Sequence, residues 1–348
     1  MIKEQNINGS NFDFLRIVFA LFVIISHSYP ISGIPEKEEW LLKITNNEIS
    51  FSYLGVAGFF AISGYLVIQS LLRSKNLINY FMKRVLRIYP ALLCVLTVTI
   101  LLGVFVYHGS AKDYVENASV WTYVPYNLSL FKLQYSISGI FADNPFKNSI
   151  NGSLCTLPYE IILYFLLSFL FLIKSNKHKI LVLATAFCFV IFYILFLRPY
   201  LLIHLYPYPI RRGIDYSGGF IAGSLLAFLD IKKIKYKKFI VLLMIVLWVV
   251  SLKYNFYGLV QYLVLPVTVI IIGTSSFPVI NNLKQSIGDL SYGIYIYAFP
   301  IQQTLEHFFR FGTFPLMLWS AFITIPFAWM SWHFIEKKAL ALKYRLNS

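Results

Sequence analysis

The chain has 348 residues, of which 58% are hydrophobic, 18% aromatic and only 13% charged. A soluble globular chain carries about 25% charged residues, so this surface is too poor in charge to dissolve a protein of this length. The formal net charge of +15 does not mark a nucleic-acid binder, because the basic residues sit in short runs between apolar blocks rather than on one basic domain.

Ten apolar blocks are expected to cross a bilayer, each of about 17–25 residues. In chain order they are Phe12–Tyr29, Phe51–Leu72, Tyr89–Tyr107, Leu154–Ile173, Ile180–Leu197, Gly213–Leu229, Phe239–Leu252, Gly258–Gly273, Ile287–Leu305 and Phe314–Phe334. The seventh and eighth are short and closely spaced. With the N-terminus inside, nineteen Lys and Arg fall on inner segments, ten on outer segments, and Arg16 within the first block. The positive-inside bias therefore predicts an even number of spans with both termini cytoplasmic. The fold class expected is all-α, a polytopic transmembrane helical bundle forming a single domain over 1–348, with no appended soluble domain. The first block is followed by Ser28, Tyr29 and Pro30 rather than a small-x-small cleavage site, so it reads as a retained span.

Ionisable residues inside spans are costly and are functional candidates. The first block holds Asp13, Arg16 and His27. Arg16 and His27 are eleven positions apart, just over three helical turns, so they share a face and differ in depth by about 16 Å. An Asp13–Arg16 ion pair near the inner interface is the alternative use of those two residues. An imidazole, with an ordinary pKa of about 6.5, suits general-base work; a hydrogen-bonded core histidine is the other possibility. Arg84 and Arg87, three apart in Phe81–Pro90, would share a helix face and could grip phosphates, or serve with Lys83 as basic anchors. The longest polar insertion, His108–Gly152, mixes aromatic residues with prolines and glycines. It is either a cap on the acceptor side or an aromatic belt at the interface. Asn117-Ala118-Ser119 matches a glycosylation acceptor, which is without bearing in a bacterial host.

In the fourth block, Glu160 lies within an apolar run and needs a partner. His27 is at a compatible depth, and a carboxylate orienting an imidazole is a recurring catalytic arrangement. On the outer side, Tyr206, Tyr208, the Arg211–Arg212 pair and Asp215 are candidates for binding, with interface anchoring as the alternative. Gly218, Gly219 and Gly223 read as close-packing positions. Cys94, Cys155 and Cys188 are far apart, with neither metal spacing nor a disulfide framework.

Four ordered blocks resemble acyltransferase family 3 in its stand-alone form. They are Asp13-Phe14-Leu15-Arg16 with His27; Gly58–Leu66 followed by Arg84-x-x-Arg87-x-Tyr89-Pro90; Asn151–Glu160; and Leu290–Pro300 with Ser331–Lys337. The third block has Cys155 where that family usually has tryptophan, and the fourth has Ala298 where it often has histidine, which places more weight on His27. The resemblance implies transfer of an acyl group, usually acetyl from acetyl-CoA, to a carbohydrate hydroxyl. Stand-alone members resemble enzymes that O-acetylate bacterial surface polysaccharide or its lipid-linked precursors, and the chain is expected in a bacterial inner membrane. No metal is expected. On this resemblance, His27 with Glu160 would be catalytic. Arg16, Arg84 and Arg87 would hold the donor, and Tyr206, Arg211, Arg212 and Asp215 would meet the acceptor. Since the chain stops after the tenth block, transfer is expected to finish within the membrane part. A transporter or flippase of lipid-linked sugars is the competing class, and a scaffold of polysaccharide assembly a third.

Overall fold

A computed structural model describes residues 11–198, 204–205, 208–275 and 288–345. The helices are α1 (Phe12–Ile31), α2 (Trp40–Ile44), α3 (Phe51–Leu72), α4 (Leu77–Val106), α5 (Ala111–Glu116), α6 (Ala118–Ser129), α7 (Leu157–Ser168), α8 (Asn176–Phe192), α9 (Ile210–Leu226), α10 (Lys237–Lys253), α11 (Tyr257–Thr274), α12 (Ser291–Phe309), α13 (Thr313–Ser331) and α14 (Lys337–Arg345). A 3-10 turn, Gly152–Thr156, leads directly into α7. A two-residue antiparallel pair joins His204–Leu205 to Tyr208–Pro209.

Among the described residues, seven helical stretches are long and apolar enough to cross a membrane: Phe12–Ile31, Phe51–Leu72, Leu77–Val106, Gly152–Leu172, Asn176–Leu197, Tyr257–Thr274 and Thr313–Leu342. The other three expected blocks coincide with helices that fall short of that standard. α9 and α10 have 17 residues each, about 25 Å of helix, and α12 carries Gln302, Gln303, Glu306 and His307. α10 nevertheless exposes Phe239, Leu242, Val246 and Val249, a surface that suits lipid and not water. α4 begins twelve residues before the expected third span, so Arg84 and Arg87 belong to the same continuous helix as the apolar run.

The expectation of one domain meets a division into two compact units. The first comprises Met1–Phe19, Tyr53–Leu77 and Tyr159–Ser286; the second comprises Ala20–Ser52, Ile78–Pro158 and Ile287–Ser348.

In the first unit, α3 and α9 pack backbone to backbone. A Cβ on Gly64 would strike the carbonyl of Phe220, and one on Gly223 the carbonyl of Ala61. Ser224 Oγ donates to the Gly64 carbonyl at 3.1 Å. Small residues permit this approach, the usual solution where lipid offers no hydrophobic drive to helix association. Gly218 lies against the Tyr262 ring, so the packing role expected for this helix's glycines holds at Gly218 and Gly223. The Asn11 backbone N–H donates to Gly273 O at 2.8 Å and its side chain to Ile272 O at 3.1 Å. The start of α1 and the end of α11 therefore share one end of this unit.

In the second unit, α12 and α13 form an antiparallel hairpin, with Gly293 against Ala328. Ile31, Phe299, Leu305 and Leu316 make one buried cluster. The insertion after α4 is docked onto α12 by side-chain amides. Asn144 Nδ2 donates to both Gln303 O and Gln303 Oε1 at 2.8 Å, and Gln303 Nε2 donates to Phe146 O and Ser149 O at 2.8 and 2.7 Å. Its aromatic residues divide: Tyr123 is fully buried, while Trp121, Tyr126 and Tyr135 are exposed. Asn117 is used as a helix cap, accepting from the Ser119 N–H at 3.0 Å. Glu39, fully buried, accepts from Ser26 Oγ and from the Phe51 N–H at 2.6 Å, while Ser26 Oγ accepts the Ser52 N–H at 2.7 Å. A carboxylate at the positive end of α3 is favourable. Burial outweighs these bonds and pushes the Glu39 carboxyl above its ordinary value.

Candidate active site

His27 lies on α1 four residues before its end. Its ring meets Phe299 edge to face, with centroids 5.2 Å apart. Its Nδ1 is buried with no hydrogen-bond partner among the described residues, leaving Nε2 as the nitrogen able to meet a substrate. Ile24, His27, Ser28 and Ile31 follow i, i+3, i+4, i+7 spacing and form one face of α1. Gln302, one turn beyond Phe299, grips that face: its Nε2 donates to Ile24 O at 2.9 Å and to Ser28 Oγ at 2.7 Å. Both N–H groups are thereby used, the amide orientation is fixed, and Oε1 is buried without a hydrogen-bond partner.

The turn before α7 approaches the same ring. Asn151 Nδ2 donates to Ile296 O at 2.9 Å, and Thr156 Oγ1 pairs with Tyr295 Oη at 2.7 Å. Gly152 sits so close to Phe299 that a Cβ there would stand 2.7 Å from the ring. Asn151 Oδ1 caps the helix by accepting the Ser153 N–H at 3.2 Å. Ser153 is 1% exposed, and its hydroxyl has no hydrogen-bond partner. Around Phe299 there are thus three polar atoms, on His27, Gln302 and Ser153, that are buried and unmatched. Native structures contain few such groups, and each calls for a reason.

Arg87 presents the opposite arrangement. Its guanidinium lies 2.7 Å from Asp289 Oδ2 and 3.7 Å from Glu336 Oε2. Ser331 Oγ donates to Glu336 Oε1 at 3.0 Å, and Ser291 Oγ donates to Asp289 Oδ1 at 2.6 Å. Tyr292 donates to Ile88 O at 3.0 Å. Close by, Gly288 adopts φ +81° with the Trp332 ring pressed against it, a conformation and a contact that any side chain would disturb. Arg87, expected as a phosphate ligand, is held by two carboxylates that sequence reasoning did not single out. Arg84 lies one turn earlier on α4 and is half-buried, as is Arg16 on α1.

Glu160 and Asp215 belong to the first unit, and His27 to the second. Glu160 accepts from Tyr164 Oη and from Ser63 Oγ at 3.3 Å; Ser63 and Tyr164 also pair at 2.9 Å. Asp215 faces Arg198 at 3.4 Å and accepts from Tyr262 Oη at 3.3 Å, in a narrow recess also lined by Tyr53, Tyr216 and Gln261. Arg211 and Arg212 are exposed at the start of α9. Tyr206 lies outside the described residues. Among the described residues, no group of three or more His, Cys, Asp or Glu side chains is placed to hold a metal.

Sequence reasoning passed over Ser153, Gln302, Asp289, Glu336 and Arg198. Asp289 and Glu336 carried a signal, as acidic residues within or beside apolar blocks. A serine and a glutamine carry none until their neighbours are known.

Residues 10–333 match the acyltransferase domain family, and the chain belongs to it. It is 29% identical over 343 residues to the O-acetyl transferase of Shigella phage Sf6, covering 94% of this chain and 95% of that one. It is also 34% identical over 148 residues to nodulation protein 10 of Rhizobium leguminosarum bv. viciae, covering 38% of this chain and 39% of that one. No solved structure matches. The chain is a membrane-embedded acyltransferase.

Proposed function

We propose that the protein transfers an acetyl group from acetyl-CoA to a hydroxyl of a bacterial surface polysaccharide or its lipid-linked precursor, at the inner membrane. The observation that carries this reading is His27: an imidazole with one buried nitrogen, set against Phe299, in a chain of the acyltransferase family. The likeness to the phage O-acetyl transferase over almost the whole of both chains supports acetyl as the group and oxygen as the acceptor atom.

In this reading the donor enters from the cytoplasmic side. Its phosphates are proposed to meet Arg84 and Arg87 of the second unit, whereas Arg16 belongs to the first. His27 removes the proton of the sugar hydroxyl as it attacks the thioester carbonyl. Glu160, expected as the partner of that base, is engaged by Tyr164 and Ser63, and His27 Nδ1 has no hydrogen-bond partner, so the imidazole is proposed to act without it. Asp215, Arg211 and Arg212, with Tyr206, are proposed to meet the acceptor. The test is incubation of purified protein with radiolabelled acetyl-CoA and a membrane glycolipid extract of the host. Label in a base-labile ester on the glycan is expected; a transporter of lipid-linked sugars would leave the glycan unlabelled.

A further inference from the structure

We propose that Ser153 is a catalytic residue whose hydroxyl donates to the oxyanion formed on the thioester carbonyl during transfer. The inference rests on the acyl-transfer reading and extends it to a group to which that reading gives no role.

The hydroxyl's isolation is the starting point. Several serines within helices of this protein satisfy themselves by donating to a carbonyl one turn back, as Ser28 does to Ile24 O at 2.8 Å and Ser224 to Phe220 O at 2.9 Å. Ser153 stands in the first turn of its helix, where no such helical carbonyl precedes it. Leaving a buried hydroxyl unpaired costs about 1–3 kcal/mol, so the position is sustained by something other than stability.

Its place in the helix supplies the second argument. Gly152–Leu172 is one 21-residue helical stretch, and Ser153 is at its N-terminus, where the helix dipole favours negative charge. The turn is anchored twice on α12, through Asn151 to Ile296 O and through Thr156 to Tyr295. A donor held rigidly before charge develops is the arrangement that stabilises an oxyanion best. The third argument is a shared neighbour: Gly152, next to Ser153 in the chain, presses on Phe299, the ring against which His27 leans.

The step balances as follows. The sugar oxygen bonds to the thioester carbonyl carbon, and His27 takes the hydroxyl proton. The carbonyl π pair moves onto oxygen, which accepts the Ser153 hydroxyl hydrogen bond. When the carbonyl re-forms, the C–S bond breaks and the departing thiolate takes the proton from His27, giving ester and free thiol.

The experiment compares steady-state transfer by full-length purified protein from radiolabelled acetyl-CoA to the host glycolipid extract. Ser153→Ala is expected to lower kcat about a hundredfold with KM for acetyl-CoA within about twofold. Ser153→Thr, which keeps the hydroxyl, is expected to recover most of the rate. Ser153→Cys, nearly isosteric but a weak donor, is expected to stay low and carries the test if the alanine variant folds poorly. A kcat for Ser153→Ala within about twofold of the unaltered protein overturns the proposal, as do equal losses in Ala and Thr or a change confined to KM. If the unaltered protein transfers no label, the acyl-transfer reading falls and this proposal with it; an active parent with an indifferent Ser153 removes the proposal alone.

Discussion

Two polar clusters of the second unit differ in how they are balanced. Around Arg87 the charges are paired: the guanidinium meets Asp289 and Glu336, and Ser291 and Ser331 attend those carboxylates, although Glu336 Oε2, 3.7 Å from the guanidinium, makes no hydrogen bond. Around His27, polar atoms of His27, Gln302 and Ser153 are buried without hydrogen-bond partners. A matched cluster spends its polarity internally and ties α4, α12 and the end of α13 to one another. An unmatched one holds its capacity for a molecule yet to arrive. The contrast sets a cluster that ties helices together against the cluster proposed to act.

Removing the base tests the contrast most severely. His27→Ala should lower the transfer rate about 10²–10⁴-fold, while the unfolding midpoint in detergent falls only by the lost packing on Phe299, because Nδ1 makes no hydrogen bond to lose. A variant as active as the parent would remove His27 from the chemistry. Arg87→Ala should do the reverse at comparable size. Removing one partner of a buried pair costs about 3–5 kcal/mol, since Asp289 and Glu336 are left buried with no counter-charge. Thermal unfolding in detergent should show the loss, and Arg87→Ala combined with Asp289→Asn and Glu336→Gln should recover part of it. No change in unfolding would mean that the cluster does not hold the fold.

Asn151→Ala lies between the two kinds of site. It removes a cap worth about 1 kcal/mol and the anchor to Ile296, so both stability and rate should fall. A fall in stability with the rate untouched would mean that the turn is scaffold only. The smallest effect is expected at the exposed cap of α5 in the insertion. The Ser110 N–H and Oγ hold the Asp113 carboxyl below its ordinary value, so this cap stabilises α5 above the carboxylate range and is lost as pH falls through it. Amide exchange in Ala111–Glu116 should quicken on acidification, and Ser110→Ala, which keeps the backbone N–H but loses Oγ, should weaken that pH dependence.

Much of the fold was legible in the sequence because lipid imposes a simple rule. Apolar stretches of sufficient length become helices whatever their neighbours do, and helices appear at all ten expected blocks. Seven of them meet the length and hydropathy of a span unaided, whereas α9, α10 and α12 are short or polar enough to depend on packing. The division into two units, with α1 contributing to both, was not legible, since it reflects contacts between segments far apart in the chain.

The sequence by itself determined that this is a helical membrane protein. It also marked His27, Arg16, Arg84, Arg87 and Glu160, because a charge or an imidazole in an apolar run is conspicuous on its own. Only the tertiary structure decided that Arg87 is occupied by Asp289 and Glu336, and that Glu160 is served by Tyr164 and Ser63. It alone showed that Ser153 and Gln302 carry buried, unmatched groups near Phe299. A hydrogen bond made or missing is a relation between residues as much as 281 positions apart, and no local spacing encodes it.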